Sequence, residues 1–333
     1  MRSLVRAPGP LVIDAAKPAH GARPVGPLVW RDERVGWPHA DASSFERAGG
    51  IRWHIQRMGS GPAVLLVHGT GASLHSWRLI APLLAARFTV VSVDLPGHGF
   101  TEQPKRRALS LPVMADAIAE LVETLGIRPL LLVGHSAGAA IVIRSCVDHG
   151  LSAEGVISIN GALRPFRGAA GFLYPSLAKL MFLNPWTPNI IARSATDRER
   201  VERLIHGTGS NIDEPGVDLY ARLMTSPVHV ASALGMVAHW DLSALDRALP
   251  RLAHPLLLVT GQRDRAVPPE DAEYARQLAP RARVSEVSGV GHLAHEEAPE
   301  TVADLIFDFA GKLAGNPANE GPESAPVACS GDR

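Results

Sequence analysis

The sequence predicts an α/β fold built on a mostly parallel, twisted sheet flanked by helices. Three observations carry that expectation: short, wholly apolar runs recur along the chain, helix-length amphipathic segments lie between them, and the runs stop over one long stretch. The runs are "AVLLV" (63–67), "TVVSV" (89–93), "LLLVG" (130–134), "GVISI" (155–159) and "LLLVT" (256–260). Strands covered on both faces read this way, and their alternation with helices implies parallel pairing.

Taken in order, residues 1–40 are rich in Pro, Gly, Ala and Arg without a sustained period, and are expected to form an extended, solvated arm. "IRWHIQRM" (51–58) alternates as a half-buried strand does. After the run at 63–67 comes His68-Gly69-Thr70-Gly71, a glycine-rich turn into a helix-like stretch. "VDLPGHGFTEQP" (93–104) is a strand end with a tight turn, and Asp94 is expected to hold that turn together. Ser110 and Gly126 bracket a helix whose apolar positions Met114, Ala117, Ile118, Leu121, Val122 and Leu125 keep helical spacing.

Between residues 161 and 241 no buried strand is evident. Aromatic residues and methionines, among them Phe166 and Trp240, are separated by prolines and short helical patterns. Two readings stand together here: a helical sub-domain with its own core, and a helical cap lining a ligand crevice at the carboxyl edge of the sheet. The expected division is an arm (1–40), a core (41–160 and 242–314), a cap (161–241) and a disordered tail (315–333).

The chain has 333 residues, 46% of them hydrophobic, and acidic and basic residues balance, so no global positive field points to nucleic acid. Two distant cysteines make neither a disulfide framework nor a metal site. No secretory signal is convincing, no stretch approaches the ~20 apolar residues of a membrane span, and a cytoplasmic location is expected. No cofactor and no metal site are expected, since the histidines lack ligand spacing.

The chemistry centres on Gly134-His135-Ser136-Ala137-Gly138, between a buried strand and a helix-compatible run. A strand-to-helix turn that sharp lifts a serine above the sheet, and the glycines relieve the crowding around it. A serine hydroxyl needs a base. Asp264 follows the run at 256–260, and His292 lies in a glycine-rich loop after a strand ending near Val287, so acid and histidine come later in the order this turn demands. His295 competes with His292 but falls where a helix should start, and is expected as a pocket or capping residue. Backbone N–H groups of Thr70 and Ala137 are expected to form the oxyanion hole, with the Thr70 hydroxyl as an additional donor. His68, Gly69, His135, Trp240 and Phe166 are expected to bind substrate.

With these residues in place, the chain from about Ser43 to Leu313 resembles an α/β-hydrolase with a helical cap insertion. The matching motifs are HG-x-G (68–71), D-x-P-G-H-G (94–99), G-H-S-A-G (134–138), G-x-x-D (261–264) and G-H-x-x-x-x-E-x-P (291–299). A serine at the elbow disfavours the haloalkane dehalogenase and epoxide hydrolase branches. More narrowly, "GWPHADASSF", "LLVHGTGASLHSW", "DLPGHGFTEQP", "NGALRPFRG" and "GHLAHEEAPE" resemble the magnesium chelatase accessory proteins of bacteriochlorophyll biosynthesis. That resemblance implies a phototrophic bacterium and a role near magnesium insertion into protoporphyrin IX. It supplies no reaction. The partners it implies are chelatase subunits and a small-molecule substrate such as a porphyrin or other tetrapyrrole ester. Arg164 and Arg167 suit propionate carboxylates and equally suit an ordinary charged surface. Three functions remain open on the sequence: a serine hydrolase of an ester or related acyl bond, a non-catalytic porphyrin-binding or chaperone protein, and a C–C bond hydrolase or perhydrolase using the same residues.

Overall fold

A computed structural model describes residues 25–104, 109–165, 180–181 and 183–314. The apolar runs become strands with nearly the expected bounds: β3 (Ala63–Val67), β4 (Thr89–Val93), β5 (Pro129–His135), β6 (Gly155–Ile159) and β7 (Leu256–Gly261). β2 (Ile51–Met58) and β8 (Ala282–Val287) were also expected, whereas the polar edge strand β1 (Ser43–Ala48) was not. The sheet order is β1-β2-β4-β3-β5-β6-β7-β8. β1, β2 and β4 pair antiparallel, and every pairing from β4 through β3 to β8 is parallel.

Both faces of the central strands are covered, which is why they read as unbroken apolar runs. Leu65, Val67, Leu132 and Leu258 point into one cluster with helices α3 (Leu111–Leu125) and α4 (Ala137–His149). Val64, Leu66, Val133 and Val259 point into the opposite cluster, with Trp77, Ile80 and Leu84 around α2 (Ile80–Leu84) and with α12 (Pro299–Ala314). Each fully buried aliphatic side chain of this kind contributes about 1.5–3 kcal/mol. α3 spans the expected helix. Gly126 ends it in the left-handed region, and Ser110 stands at its N-cap without a capping side-chain bond.

Among the described residues the stretch between β6 and β7 is helical. It comprises α5 (Thr187–Ser194), α6 (Arg198–Gly207), α7 (Glu214–Met224), α8 (Pro227–Ala238) and α9 (Leu245–Ala248). α10 (Glu270–Leu278) and α11 (Ala294–Glu297) follow β7 and β8. Val201, Ile205, Val217 and Tyr220 from α6 and α7 meet Ala72 and Leu293 of the core in a cluster of their own.

The expected solvated arm is corrected over its described part. Residues 30–33 form α1 (Trp30–Glu33). Trp37 is 3% exposed and clusters with Phe100, Leu219 and Leu223. Trp30 lies 5.0 Å, ring to ring, from Phe100 and 4.8 Å from His54. Two indoles carry enough apolar area to outweigh the entropy of ordering this short segment. The expected disordered tail lies outside the described residues.

Candidate active site

β5 ends at His135, and α4 begins at Ala137. The single residue between them turns the chain, so Ser136 sits at φ 52°, ψ −117°, a conformation that costs a non-glycine residue about 1–3 kcal/mol. The surroundings hold it there. Its N–H donates to the Ile159 carbonyl at 3.0 Å, and its carbonyl accepts from Ala162 and Ala139, each at 3.1 Å. The framing glycines answer to space: a Cβ on Gly138 would collide with the Val67 carbonyl, and one on Gly134 with the backbone of Gly138 and Ala139.

Asp264 and His292 come together as expected. The His292 Nδ1–H donates to Asp264 Oδ2 at 2.8 Å. That carboxylate also accepts from Asn160 Nδ2 at 2.8 Å and, through Oδ1, from the N–H groups of Ala266 at 2.8 Å and Val267 at 2.9 Å. Its side chain is fully buried, and among the described residues no arginine pairs with it. Four donors replace its lost hydration, as a buried charge requires. Asn160 was not anticipated. It ends β6 with φ 47° and also bonds the Gly291 carbonyl, so it ties the acid to the loop that carries the histidine.

That loop is fixed on several sides. His135 Nε2–H donates to the His292 carbonyl at 2.9 Å, Leu293 N–H to Ser210 Oγ at 2.8 Å, and Gly291 N–H to Glu297 at 2.9 Å. With Nδ1–H held by the carboxylate, His292 Nε2 is the free, basic nitrogen. Ser136 and His292 open onto one cavity of about 240 Å³. Gly69, Thr70 and His135 line its core side, and Val201, Leu204, Ile205, Tyr220 and Met224 its helical side. The Ser136 hydroxyl makes no hydrogen bond among the described residues; such contacts commonly tighten only with substrate bound.

One of the two residues expected to supply oxyanion amides borders this cavity. Thr70 lines the cavity, and Ala137 opens α4, where an N–H has no intrahelical acceptor. Among the described residues neither amide donates to another backbone carbonyl. The Thr70 hydroxyl, expected as an extra donor, is turned toward Met236 Sδ at 3.4 Å.

Other expectations need correction. His68 is fully buried: its Nδ1–H donates to the Gly69 carbonyl at 2.7 Å, and its Nε2 accepts the Leu95 N–H at 2.9 Å. It braces two loops and offers nothing to a substrate, and desolvation lowers its pKa. Trp240 packs against the core cluster and does not line this cavity. Phe166 and Arg167 lie outside the described residues. Arg164 pairs with Asp271 at 3.4 Å and stacks over Tyr274. His295 neither caps a helix nor lines the cavity. Its ring is buried 4.5 Å from both Trp77 and His135, neither nitrogen has a partner, and burial pushes its pKa down to about 3. Asp94 does hold its turn together, accepting from Leu74 N–H at 2.7 Å, Phe100 N–H at 2.9 Å and His54 Nδ1 at 2.8 Å.

A second buried network, not legible beforehand, fastens α7 to the core. Arg78 donates to Glu296 and Asp213, and Tyr220 OH donates to Glu296 at 2.8 Å. Burial pushes the Glu296 carboxyl up to about 7, against the pull of Arg78 and Tyr220.

Residues 62–299 match the family described as the alpha/beta hydrolase fold. The chain belongs to that family. It is 38% identical over 275 residues to the "Magnesium-chelatase 30 kDa subunit" of Rhodobacter capsulatus, covering 82% of this chain and 96% of that protein. It is 29% identical over 261 residues to the pyrrolizixenacetamide deacetylase of Xenorhabdus hominickii, covering 75% and 91%. The solved structure of "a putative lipase (lip1)" from Acinetobacter baumannii superposes with a TM-score of 0.71 at 19% identity, covering 86% of this chain and 97% of that one, and shares the fold. Among the described residues no group of three or more His, Cys, Asp or Glu side chains could hold a metal ion, and no helix is long and apolar enough to cross a membrane.

Proposed function

We propose that this α/β-hydrolase-family chain is a serine hydrolase of an ester or related acyl bond, acting in the cytoplasm as an accessory to magnesium chelatase, with residues 161–241 as its cap. The observation that carries the chemistry is the 2.8 Å pairing of His292 with a four-donor Asp264, on a loop that shares its cavity with the strained Ser136. Ser136 is the nucleophile. His292 Nε2 takes the hydroxyl proton as Oγ attacks the carbonyl carbon, and Asp264 stabilises the resulting imidazolium. The carbonyl oxygen, now an anion, takes hydrogen bonds from the amides of Thr70 and Ala137. Collapse expels the alcohol with the proton from His292 and leaves an acyl-serine. Water attacks the acyl carbon as His292 takes its proton, and the acid leaves with Ser136 Oγ–H restored. The accessory role rests on the 38% identity to the Rhodobacter chelatase subunit. Labelling of the folded chain with a fluorophosphonate tests the chemistry: modification at Ser136, absent in Ser136→Ala, is expected, and no modification of a folded protein refutes it.

The name of that relative also favours a second reading, in which the cavity binds a porphyrin or a chelatase subunit without catalysis. A strain carrying Ser136→Ala separates the two. Normal pigment formation supports binding; lost pigment with the protein still folded supports hydrolysis.

A further inference from the structure

The surface of the helical segment carries a feature that hydrolysis does not use. Leu183, Trp186 and Ile190 are 67%, 71% and 60% exposed. Trp186, Ile190 and Arg193 are spaced i, i+4, i+7 through α5, so they share one helix face, and Arg193 is exposed as well. The opposite side of α5 buries Pro188 and Ala192 and packs on α8. Solvent-facing side chains of this size in one row are unusual on a soluble protein and mark an interaction surface.

The sequence that leads into and through α5 is one-sided in charge. Residues 155–196 contain no aspartate or glutamate and four basic residues, Arg164, Arg167, Lys179 and Arg193; Arg164 is paired with Asp271, and Arg193 is the one on α5 itself. Acidic residues resume at Asp197, and those on α6 and facing it are matched: Asp197 by Arg200, Glu199 by Arg203, Glu202 and Asp218 by Arg198. No unmatched negative charge on that helix opposes an anionic neighbour. An exposed indole beside aliphatic side chains with a basic residue at the helix end is the combination that settles at a lipid headgroup boundary, and basic residues there are drawn to an anionic leaflet.

We propose that the α5 face of Trp186, Ile190 and Arg193, with the exposed Leu183 just before it, docks the protein on an anionic lipid surface. α5 leads directly into α6, whose Val201, Leu204 and Ile205 wall the cavity. Docking there brings the lipid surface against the segment that borders the site. The proposal stands whether or not Ser136 is catalytic.

Co-sedimentation of the full chain with vesicles tests it, comparing phosphatidylglycerol–phosphatidylcholine mixtures with phosphatidylcholine alone. The protein is expected to sediment with the anionic vesicles and to be released by salt. The Trp186→Ser/Ile190→Ser variant should lose roughly tenfold in partitioning, and Arg193→Glu roughly threefold. The substituted side chains face solvent, so melting curves should match the parent; Leu183→Gln, at the exposed leucine just before α5, serves if the double variant folds poorly. The proposal is overturned if the wild-type chain does not bind, or if the double variant binds as well as wild type. It is also overturned if the wild type ignores vesicles but forms a dimer that the double variant breaks, because the face then joins two copies of the chain.

Discussion

Asp264→Asn is the most informative single change, because the geometry sets both its chemical and its structural cost. The amide oxygen can keep facing the N–H groups of Ala266 and Val267, so the loop retains both bonds. The amide nitrogen then faces His292 Nδ1 and Asn160 Nδ2. His292 can pair with an N–H only by accepting, which places its own proton on Nε2 and leaves no base for Ser136. The loss expected for a wrong tautomer is about 10⁴-fold, roughly 5.5 kcal/mol of barrier. The fold should lose far less. Asn160 Oδ1 has no partner, so rotating that amide relieves the clash of two donors, at the expense of the bond to Gly291 and about 1 kcal/mol. The assay is the second-order rate of fluorophosphonate labelling at Ser136, read beside a thermal melt. A labelling rate within tenfold of wild type in a folded protein would refute the assignment of Asp264 as the group that sets the tautomer.

Asn160→Ala should slow the same labelling by about tenfold and cost about 1–2 kcal/mol by urea titration, because a buried carboxylate loses one donor; an unchanged rate would remove its positioning role. Gly138→Ala should destabilise by about 1–3 kcal/mol or more, since the methyl group meets backbone and not a yielding side chain; a melting temperature equal to wild type would show that the elbow has room. Stability should fall with acid. Burial holds His229 down to about 4 and His295 to about 3, and lowers His75, His98 and His135 well below their usual value. Free of the fold these rings titrate near 6.5. The unfolded chain therefore binds more protons below that value, and each ring removes about 1.4 kcal/mol of stability per pH unit until its folded pKa is reached. Urea midpoints between pH 7 and 5 should show this slope, and His295→Phe should reduce it by about one proton; an undiminished slope would count against burial of His295 as the cause.

What was legible in the sequence follows from which forces act locally. Strands with two covered faces announce themselves as apolar runs, so β3 to β7 could be read almost to the residue. β1, "SSFERA", is an edge strand with mostly half-buried side chains, and no run or clean alternation marks it. Ser136, Asp264 and His292 were readable because each follows a readable strand. Asn160 was not: one asparagine after a strand looks like any turn, and its significance depends on β6 and β7 lying side by side. Arg78, Tyr220 and Glu296 are far apart in sequence, and no local pattern links them. His68 and His295 were misjudged for the converse reason, since a histidine near a motif looks functional until its burial is known.

The clamping of residues 208–224 has a mechanical consequence. Gly26 bonds the Thr225 carbonyl, Trp37 packs on Leu219 and Leu223, Tyr220 and Asp213 join the Arg78–Glu296 network, and Arg265 bonds the Thr208 carbonyl. That stretch is a fixed wall, held from the N-terminal side and from the core together. It cannot serve as a hinged door to the cavity. The remaining helical wall of the cavity is α6, whose Val201, Leu204 and Ile205 line it and which follows α5 directly. The apolar outer ridge therefore lies one short turn of chain from a wall of the cavity.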